Sequence, residues 1–320
     1  MRKAISNKSM WRVLSLMLVL LLSVSMFGAG VSAETASPFK GTSVTLGSAL
    51  IVNFTAEVTD TENAVMTFQV DDTTQTVPMS KAQHVEGNLY IFPCVIAPAQ
   101  MANTIEATLS DSGNTETLNT SVRDYAVRLL ANKQWDKLAA NDMMVATLNY
   151  GAATQNYFEY NTENPANAGY VKAATAQIPN ENAAAQVSGS VDGITFYGAS
   201  LLLESRIVLR FYFNVSGNIG DYTFSTGKNP VYKDGHYYVE VPNINPQDYN
   251  TDITVTVTDK QGGQMSVTYS PMDYIIRMYN RTTNANMKAM LQALYQYHVT
   301  AVNYLADPYG NDKDNLVAVQ

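Results

Sequence analysis

The spacing of hydrophobic residues switches between two periods along the chain, and each period occurs twice. Apolar residues occupy every second position over 50–58 and again over 207–215, which predicts strands that are buried on one face. Apolar residues recur at intervals of three and four over 121–158 and again over 270–305, which predicts helices. We therefore predict that each half contains about six or seven short antiparallel strands followed by two helices.

Similar residues recur in the same order in the two halves, which indicates an internal duplication. The first helical segment contains SVRDYAVRLL and MMVATLNYGAATQNYF, and the second contains SPMDYIIRMY and MLQALYQYHVTAVNYL. A gap-free match of 25 residues, which begins at Gly87 in the first half and at Gly235 in the second, extends the similarity into the strands. The two halves are therefore predicted to share one fold.

The duplication and the order of the elements predict an α+β protein of two tandem modules. Each module is expected to be an antiparallel β-sandwich-like sheet followed by a helical hairpin that covers the sheet of its own module. The predicted modules span residues 34–160 and 191–308. Residues 161–190, which are rich in Asn, Ala, Gln and Pro, are predicted to form a linker, and residues 309–320 a polar tail.

The helices carry clear end signals and an aromatic stripe. Ser121 precedes Asp124 by three residues and Ser270 precedes Asp273 by three, which predicts a capping box at each start.

Residues spaced seven apart form a stripe on the second helix of each pair: Met143, Tyr150 and Tyr157, and Met290, Tyr297 and Tyr304. Such a stripe can line a ligand site. Apolar stripes on short helices are normally buried, however, so we predict that this stripe packs against the sheet of its own module.

The first 33 residues have the order that is typical of a secretory signal peptide. Four basic residues within 2–12 precede an apolar run over 13–27, and the small-residue pattern Val31-Ser32-Ala33 follows. We predict cleavage after Ala33 and a secreted, extracellular protein. The alternative is an uncleaved membrane anchor, which the short apolar run disfavours. No other segment is apolar over enough residues to cross a bilayer, so we expect no membrane span after cleavage.

Charge narrows the range of partners. Cleavage would remove four of the 20 Lys and Arg residues and none of the 28 Asp and Glu residues, so the net charge would change from −8 to −12. A surface this acidic disfavours nucleic acid and anionic membranes as partners. Cys94 is the single cysteine, which excludes an intrachain disulfide, and its apolar neighbours predict that it is buried.

The sequence contains no recognised catalytic or cofactor-binding motif. The three histidines, His84, His236 and His298, have no carboxylate or cysteine at metal-ligand spacing and are predicted to be solvated or only partly buried. The acidic pair at 71–72 and the carboxylates of 307–314 could suggest calcium, but the second group lacks the spacing of an EF-hand and acidic turns are usually solvated. We therefore predict no metal site and no cofactor. A glycosidase-type carboxylate pair need not be close in sequence, so a hydrolase stays an alternative.

Tyrosine is concentrated in the second half, with five residues over 34–165 and fourteen over 191–320. Period-two alternation places Tyr212 and Tyr238 on the polar faces of their strands, and Tyr232 lies in the turn region before the second strand. Exposed tyrosines can stack on sugar rings or anchor a protein partner. The alternative is cross-strand pairing that stabilises the sheet. These three tyrosines are the candidate binding residues.

Several runs resemble a recurring module of secreted and surface proteins from anaerobic gut Gram-positive bacteria. They are Asn53-Phe54, the Tyr-x-Phe-x-Cys stretch over 90–94, VRDYA over 122–126 and LNYGAATQNYF over 148–158. The resemblance covers most of the first half strongly and the second half weakly. That group has no assigned catalytic residues, so the resemblance implies none.

The secretion signal, the duplication and the tyrosines together favour a secreted, non-catalytic tandem-module protein. We expect it to bind or adhere to a glycan or a host extracellular protein. Two alternatives remain. One is a structural spacer or assembly subunit of a bacterial surface complex, and the other is the hydrolase with an unrecognised carboxylate pair.

Overall fold

The computed structural model describes residues 37–131, 139–203 and 205–307, and the backbone of a two-residue strand at Val19–Leu20. Apart from those two residues, the predicted signal peptide lies outside the described residues, and so does the predicted polar tail. No helix within the described ranges combines the length and hydropathy that a membrane span requires.

Two antiparallel sheets form the first half. Its strands are β1 (Val19–Leu20), β2 (Phe39–Leu46), β3 (Leu50–Glu57), β4 (Val65–Val70), β5 (Thr73–Pro78), β6 (Gln83–Glu86), β7 (Leu89–Ile96), β8 (Ile105–Asp111) and β9 (Asn114–Thr120). One sheet has the order β1-β2-β3-β7-β6 and the other β5-β4-β8-β9. Phe54 of β3 contacts Phe68 of β4 with ring centroids 5.0 Å apart, so the two sheets pack face to face.

Two further antiparallel sheets form the second half. Its strands are β10 (Gln186–Gly189), β11 (Ile194–Leu203), β12 (Ile207–Val215), β13 (Tyr222–Phe224), β14 (Val231–Lys233), β15 (His236–Pro242), β16 (Ile253–Asp259) and β17 (Gln264–Tyr269). One sheet has the order β11-β12-β15-β14 and the other β10-β17-β16-β13. Phe213 and Phe224 join these sheets with ring centroids 5.3 Å apart.

The gap-free match between the halves is wrong by one residue over β7 and β15. Phe54 of β3 lies opposite Phe92, whereas its counterpart in β12, Phe211, lies opposite Val239. The match would instead equate Phe92 with Glu240. Because successive side chains of a strand point to opposite faces, a slip of one residue exchanges the buried and exposed sets.

Four helices are described: α1 (Val122–Ala131), α2 (Ala139–Phe158), α3 (Pro271–Arg281) and α4 (Ala285–Ala306). The predicted capping box is complete at α3, where Ser270 Oγ accepts from the Asp273 N–H at 3.0 Å and the Asp273 carboxylate accepts from the Ser270 N–H at 2.9 Å. At α1, Ser121 Oγ accepts from the Asp124 N–H at 2.9 Å. Short 3-10 turns occupy Met79–Lys81, Pro98–Gln100, Ile219–Asp221 and Pro246–Asp248.

The predicted fold class is wrong in the arrangement of the helices. The prediction was an α+β protein of two modules, each with a helical hairpin over its own sheet. The described chain is instead mostly β, and α2 packs mainly against α4 rather than against its neighbour α1. Tyr150 and Tyr297, which occupy equivalent positions in the two copies, stack with ring centroids 5.8 Å apart. Helical periodicity identifies the apolar stripe of a helix but not the surface that covers it.

The two halves share one core. Their buried residues form a single continuous hydrophobic cluster. Backbone contacts also cross between the halves, since Ala49 forms an isolated bridge with Arg206 and the Ile207 N–H donates to the Ser48 carbonyl at 3.2 Å. Four residues of the predicted stripe are buried, namely Met143, Tyr150, Met290 and Tyr297, whereas Tyr157 and Tyr304 are only partly buried. Tyr150 and Tyr297 stack on each other across the two halves, and this contact differs from the predicted burial against each module's own sheet.

The segment between the halves is largely irregular, yet it is fastened to the helices. The fully buried Gln155 of α2 accepts from the Ala166 N–H at 2.8 Å and donates to the carbonyls of Asn161 and Asn164. Farther along, Asn280 of α3 donates to the Pro179 carbonyl at 2.8 Å. The end of the segment forms β10, which extends a sheet of the second half.

Candidate functional site

The structure brings two of the three candidate tyrosines together on the outer face of a sheet. Tyr212 of β12 lies directly opposite Tyr238 of β15, with ring centroids 5.5 Å apart. Their neighbours along the strands, Phe211, Phe213 and Val239, point into the core. Tyr212 is half-buried and Tyr238 is 8% exposed, so the pair presents edges rather than whole rings to solvent.

An ion pair covers this tyrosine pair. The Arg210 guanidinium lies 4.6 Å from the centroid of the Tyr238 ring, a cation–π distance. Its Nε and Nη2 donate to Oε1 of Glu240 at 2.9 and 2.8 Å. Partial burial lowers the pKa of Arg210, because it removes water from the charged guanidinium. Hydrogen bonds to Glu240 and Tyr212 outweigh this effect, so the net shift of the pKa is upward. Among the described residues, no donor contacts the other carboxylate oxygen of Glu240.

Tyr232 lies on the opposite face of the same sheet. In β14 it pairs with Tyr237, which in turn lies opposite the core residue Phe213. Residues that lie directly opposite each other share a face, so Tyr232 points away from Tyr212 and Tyr238. Its side chain is 62% exposed, and its ring centroid lies 4.9 Å from that of Tyr237. The three candidate tyrosines therefore do not form one site.

Tyr197, which the sequence analysis did not single out, extends the outer face. It lies at a β-bulge between Phe196 and Gly198, so period-two alternation does not predict its direction. Its ring stacks on His236 with centroids 3.7 Å apart and planes 18° apart, yet it stays 60% exposed. His236 Nδ1 lies 2.8 Å from Asn214 Oδ1, which fixes the imidazole under the ring.

We call this surface the tyrosine face and define it by six residues: Tyr197, Arg210, Tyr212, His236, Tyr238 and Glu240. It combines one exposed aromatic ring with a hydrogen-bonding cation and anion. A Cβ built on Gly198 meets no atom within 4 Å apart from its chain neighbours, so the surface at Gly198 is open. Such a face offers stacking and polar hydrogen bonds without a deep cavity.

His298 is not at the surface, contrary to the prediction for the three histidines. It is 7% exposed, its Nδ1 lies 2.6 Å from the Pro246 carbonyl oxygen, and its ring stacks on Tyr249 at 5.8 Å. Burial lowers the pKa of His298, because the charged imidazolium would lose its hydration. The neutral ring with its proton on Nδ1 satisfies the carbonyl, so this histidine has a structural contact.

Asp71, from the predicted acidic pair, belongs to a hydrogen-bond network. Its carboxylate accepts from Asn103 at 2.7 Å, from Gln100 at 3.1 Å and from the Tyr160 hydroxyl. Within the described ranges, no group of three or more His, Cys, Asp or Glu side chains is placed to hold a metal ion.

The sequence matches no protein-family model and no curated protein at a significant level.

Proposed function

We propose that the protein is a secreted, non-catalytic binding protein that holds a glycan on the tyrosine face. The observation that supports this best is Tyr197, whose ring is backed by His236 on one side and 60% exposed. A sugar presents a flat C–H surface to such a ring, and stacking there uses an aromatic group that is already immobilised. Pre-organisation lowers the entropy cost of binding.

The polar groups of the face suit sugar hydroxyls. Arg210 supplies donors and Glu240 supplies acceptors, and their mutual ion pair holds both in place at 2.8 Å. The side chains retain 19% and 33% exposure, so each can form further hydrogen bonds with a ligand.

A matched pair of exposed tyrosines tests the proposal. The mature protein, Tyr197→Ala and Tyr232→Ala would be applied to a glycan array, with thermal unfolding to confirm that all three are folded. We expect the wild type to retain a glycan class, Tyr197→Ala to lose about tenfold in affinity because one stacking contact is removed, and Tyr232→Ala to bind normally. Folded wild type that retains no glycan would overturn the proposal.

An extracellular protein is the second candidate ligand. Tyr and Arg are the residue types that most often dominate protein interfaces, and Tyr197 and Arg210 share one face. Capture of one protein from mucus or serum by the wild type and by Tyr232→Ala, but not by Tyr197→Ala, would favour this ligand over a glycan.

Secretion rests on residues 1–33. N-terminal sequencing of the protein recovered from the culture medium of an expressing bacterium should begin at Glu34. Recovery of the chain only from the cell fraction, with its first 33 residues retained, would contradict this part of the proposal.

A further inference from the structure

A cavity of about 450 Å³ lies between α2, α4 and the irregular segment over 165–175. We call it the interhelical cleft. It shares no residue with the tyrosine face. A volume of several hundred Å³ is typical of sites for small molecules and short peptide segments.

Small residues and neutral polar side chains line the cleft. Alanines from both helices line it, and six amide side chains surround them: Asn149, Asn156, Asn167, Gln292, Gln296 and Asn303. Two charged residues line it, Asp142 and Lys172, and they neutralise each other in an ion pair at 2.6 Å. The lining therefore favours an uncharged ligand that both donates and accepts hydrogen bonds.

The amides occupy equivalent positions on the two helices. Asn149 and Asn156 each precede a tyrosine of the stripe on α2, and Gln296 and Asn303 do the same on α4. The helices that meet at Tyr150 and Tyr297 thus both contribute amides to one cleft. Neither half forms this site alone.

Part of the cleft already binds main-chain groups of the irregular segment. Gln296 Oε1 accepts from the N–H groups of Thr175 and Ala176 at 2.8 and 2.9 Å. Gln292 Nε2 donates to the Ala176 carbonyl at 2.9 Å. The chain that these amides hold has the sequence Ala-Ala-Thr-Ala over 173–176, so the groove accepts a main chain with small side chains.

The same chemistry continues along the cleft in groups that are not yet used. Asn156 and Asn303 are exposed, and among the described residues their side chains have no hydrogen-bond partner. A side-chain amide can pair with both the N–H and the C=O of a peptide. We infer that the interhelical cleft binds an uncharged peptide segment of small residues, whose main chain pairs with Asn156 and Asn303.

The test uses the capped peptide acetyl-Ala-Ala-Thr-Ala-amide as the probe. Titration of the ¹⁵N-labelled mature protein should move the side-chain amide signals of Asn156 and Asn303, which isotope labelling and single variants assign. The double variant Asn156→Ala with Asn303→Ala should bind about tenfold more weakly, since two hydrogen-bonding groups are lost. Asn250→Ala, which removes an exposed amide outside the cleft, should bind like the wild type.

The result separates this inference from the proposed function. Tyr197→Ala should bind the peptide normally, since it lies outside the cleft. No shift of the Asn156 and Asn303 signals at millimolar peptide, or equal affinity in the folded double variant, would overturn the inference whatever the glycan array shows.

Discussion

The two halves carry different chemistry on the same β-bulge. In the first half the bulge lies between Phe39 and Gly41, and Lys40 forms an ion pair with Glu57 at 2.8 Å. In the second half the equivalent positions hold Tyr197 and Asn214, and the exposed ring stacks on His236. The backbone feature is shared, whereas the side chains have changed from a solvated ion pair to an aromatic platform.

At a second pair of equivalent positions, the two halves differ in the size of the side chains that meet. In the first half, Gly151 of α2 lets the helix approach Met101, so closely that an added Cβ would lie 2.7 Å from the methionine sulfur. In the second half the corresponding residues are His298 and Tyr249, which stack at 5.8 Å. A larger helix residue is therefore accommodated where it can bond to the carbonyl of Pro246.

These contacts separate positions that differ between the halves from positions that are alike. The surface positions Lys40 and Tyr197 differ in side-chain chemistry, and the buried positions Gly151 and His298 differ together with their contacts. The stacked tyrosines between α2 and α4 remained alike, because each is the packing partner of the other.

Removing one stacked tyrosine should destabilise both halves. Tyr297→Ala leaves a cavity at the shared interface, and we expect it to lower the free energy of unfolding by about 3 to 5 kcal/mol. Urea unfolding would measure the loss, and amide hydrogen exchange should show reduced protection in strands of both halves. Tyr232→Ala, at an exposed position, is the control and should change stability little. Loss of protection in the second half alone would contradict a shared core.

The close approach at Gly151 should tolerate no side chain. Gly151→Ala places a methyl group within 3.1 Å of Met101, Ala166 and the Pro98 carbonyl, so overpacking should outweigh the better helix propensity of alanine. We expect a net loss of about 1 to 2 kcal/mol in urea unfolding. In a Met101→Ala background the penalty should shrink, because space is freed. An unchanged penalty there would indicate that the methionine is not the obstacle.

His298 should make stability depend on pH. Its folded pKa is lowered from 6.5, so the unfolded chain binds the proton first as the pH falls. This stabilisation is complete above about pH 6.5 and is lost progressively below it. Urea unfolding at pH 8 and pH 5 should show a larger decrease for the wild type than for His298→Gln. Equal decreases would mean that His298 is not the titrating group.

The Lys40–Glu57 ion pair at the bulge of the first half should contribute least to the free energy of unfolding. Lys40 and Glu57 are 31% and 56% exposed, so solvent screens their attraction. We expect Lys40→Ala to change the free energy of unfolding by less than about 1 kcal/mol and to leave glycan binding intact. Loss of glycan binding in this variant would place a ligand contact on the first half as well.

Sequence reasoning located most of the local structure. Period-two alternation identified β3 and β12, and the serine caps marked the starts of α1 and α3. Cys94 and four of the six stripe residues are buried, as their apolar spacing indicated. These features depend on residues that are close in the chain, which is why the spacing alone was sufficient.

The predictions that were wrong concern features that depend on contacts between residues far apart in the chain. The pairing of α2 with α4 requires knowledge of which surface covers each stripe, and the one-residue slip between β7 and β15 is visible only in the strand pairing. Tyr197 lies in a β-bulge, so period-two alternation does not predict which face of the sheet it occupies. Tyr232 was placed in a turn, although it lies in β14 on the other face.

Differential scanning calorimetry of the mature protein tests the shared core most directly. One hydrophobic cluster spans both halves, so we predict a single transition whose calorimetric enthalpy equals its van't Hoff enthalpy. Two resolved transitions, one for each half, would contradict the account.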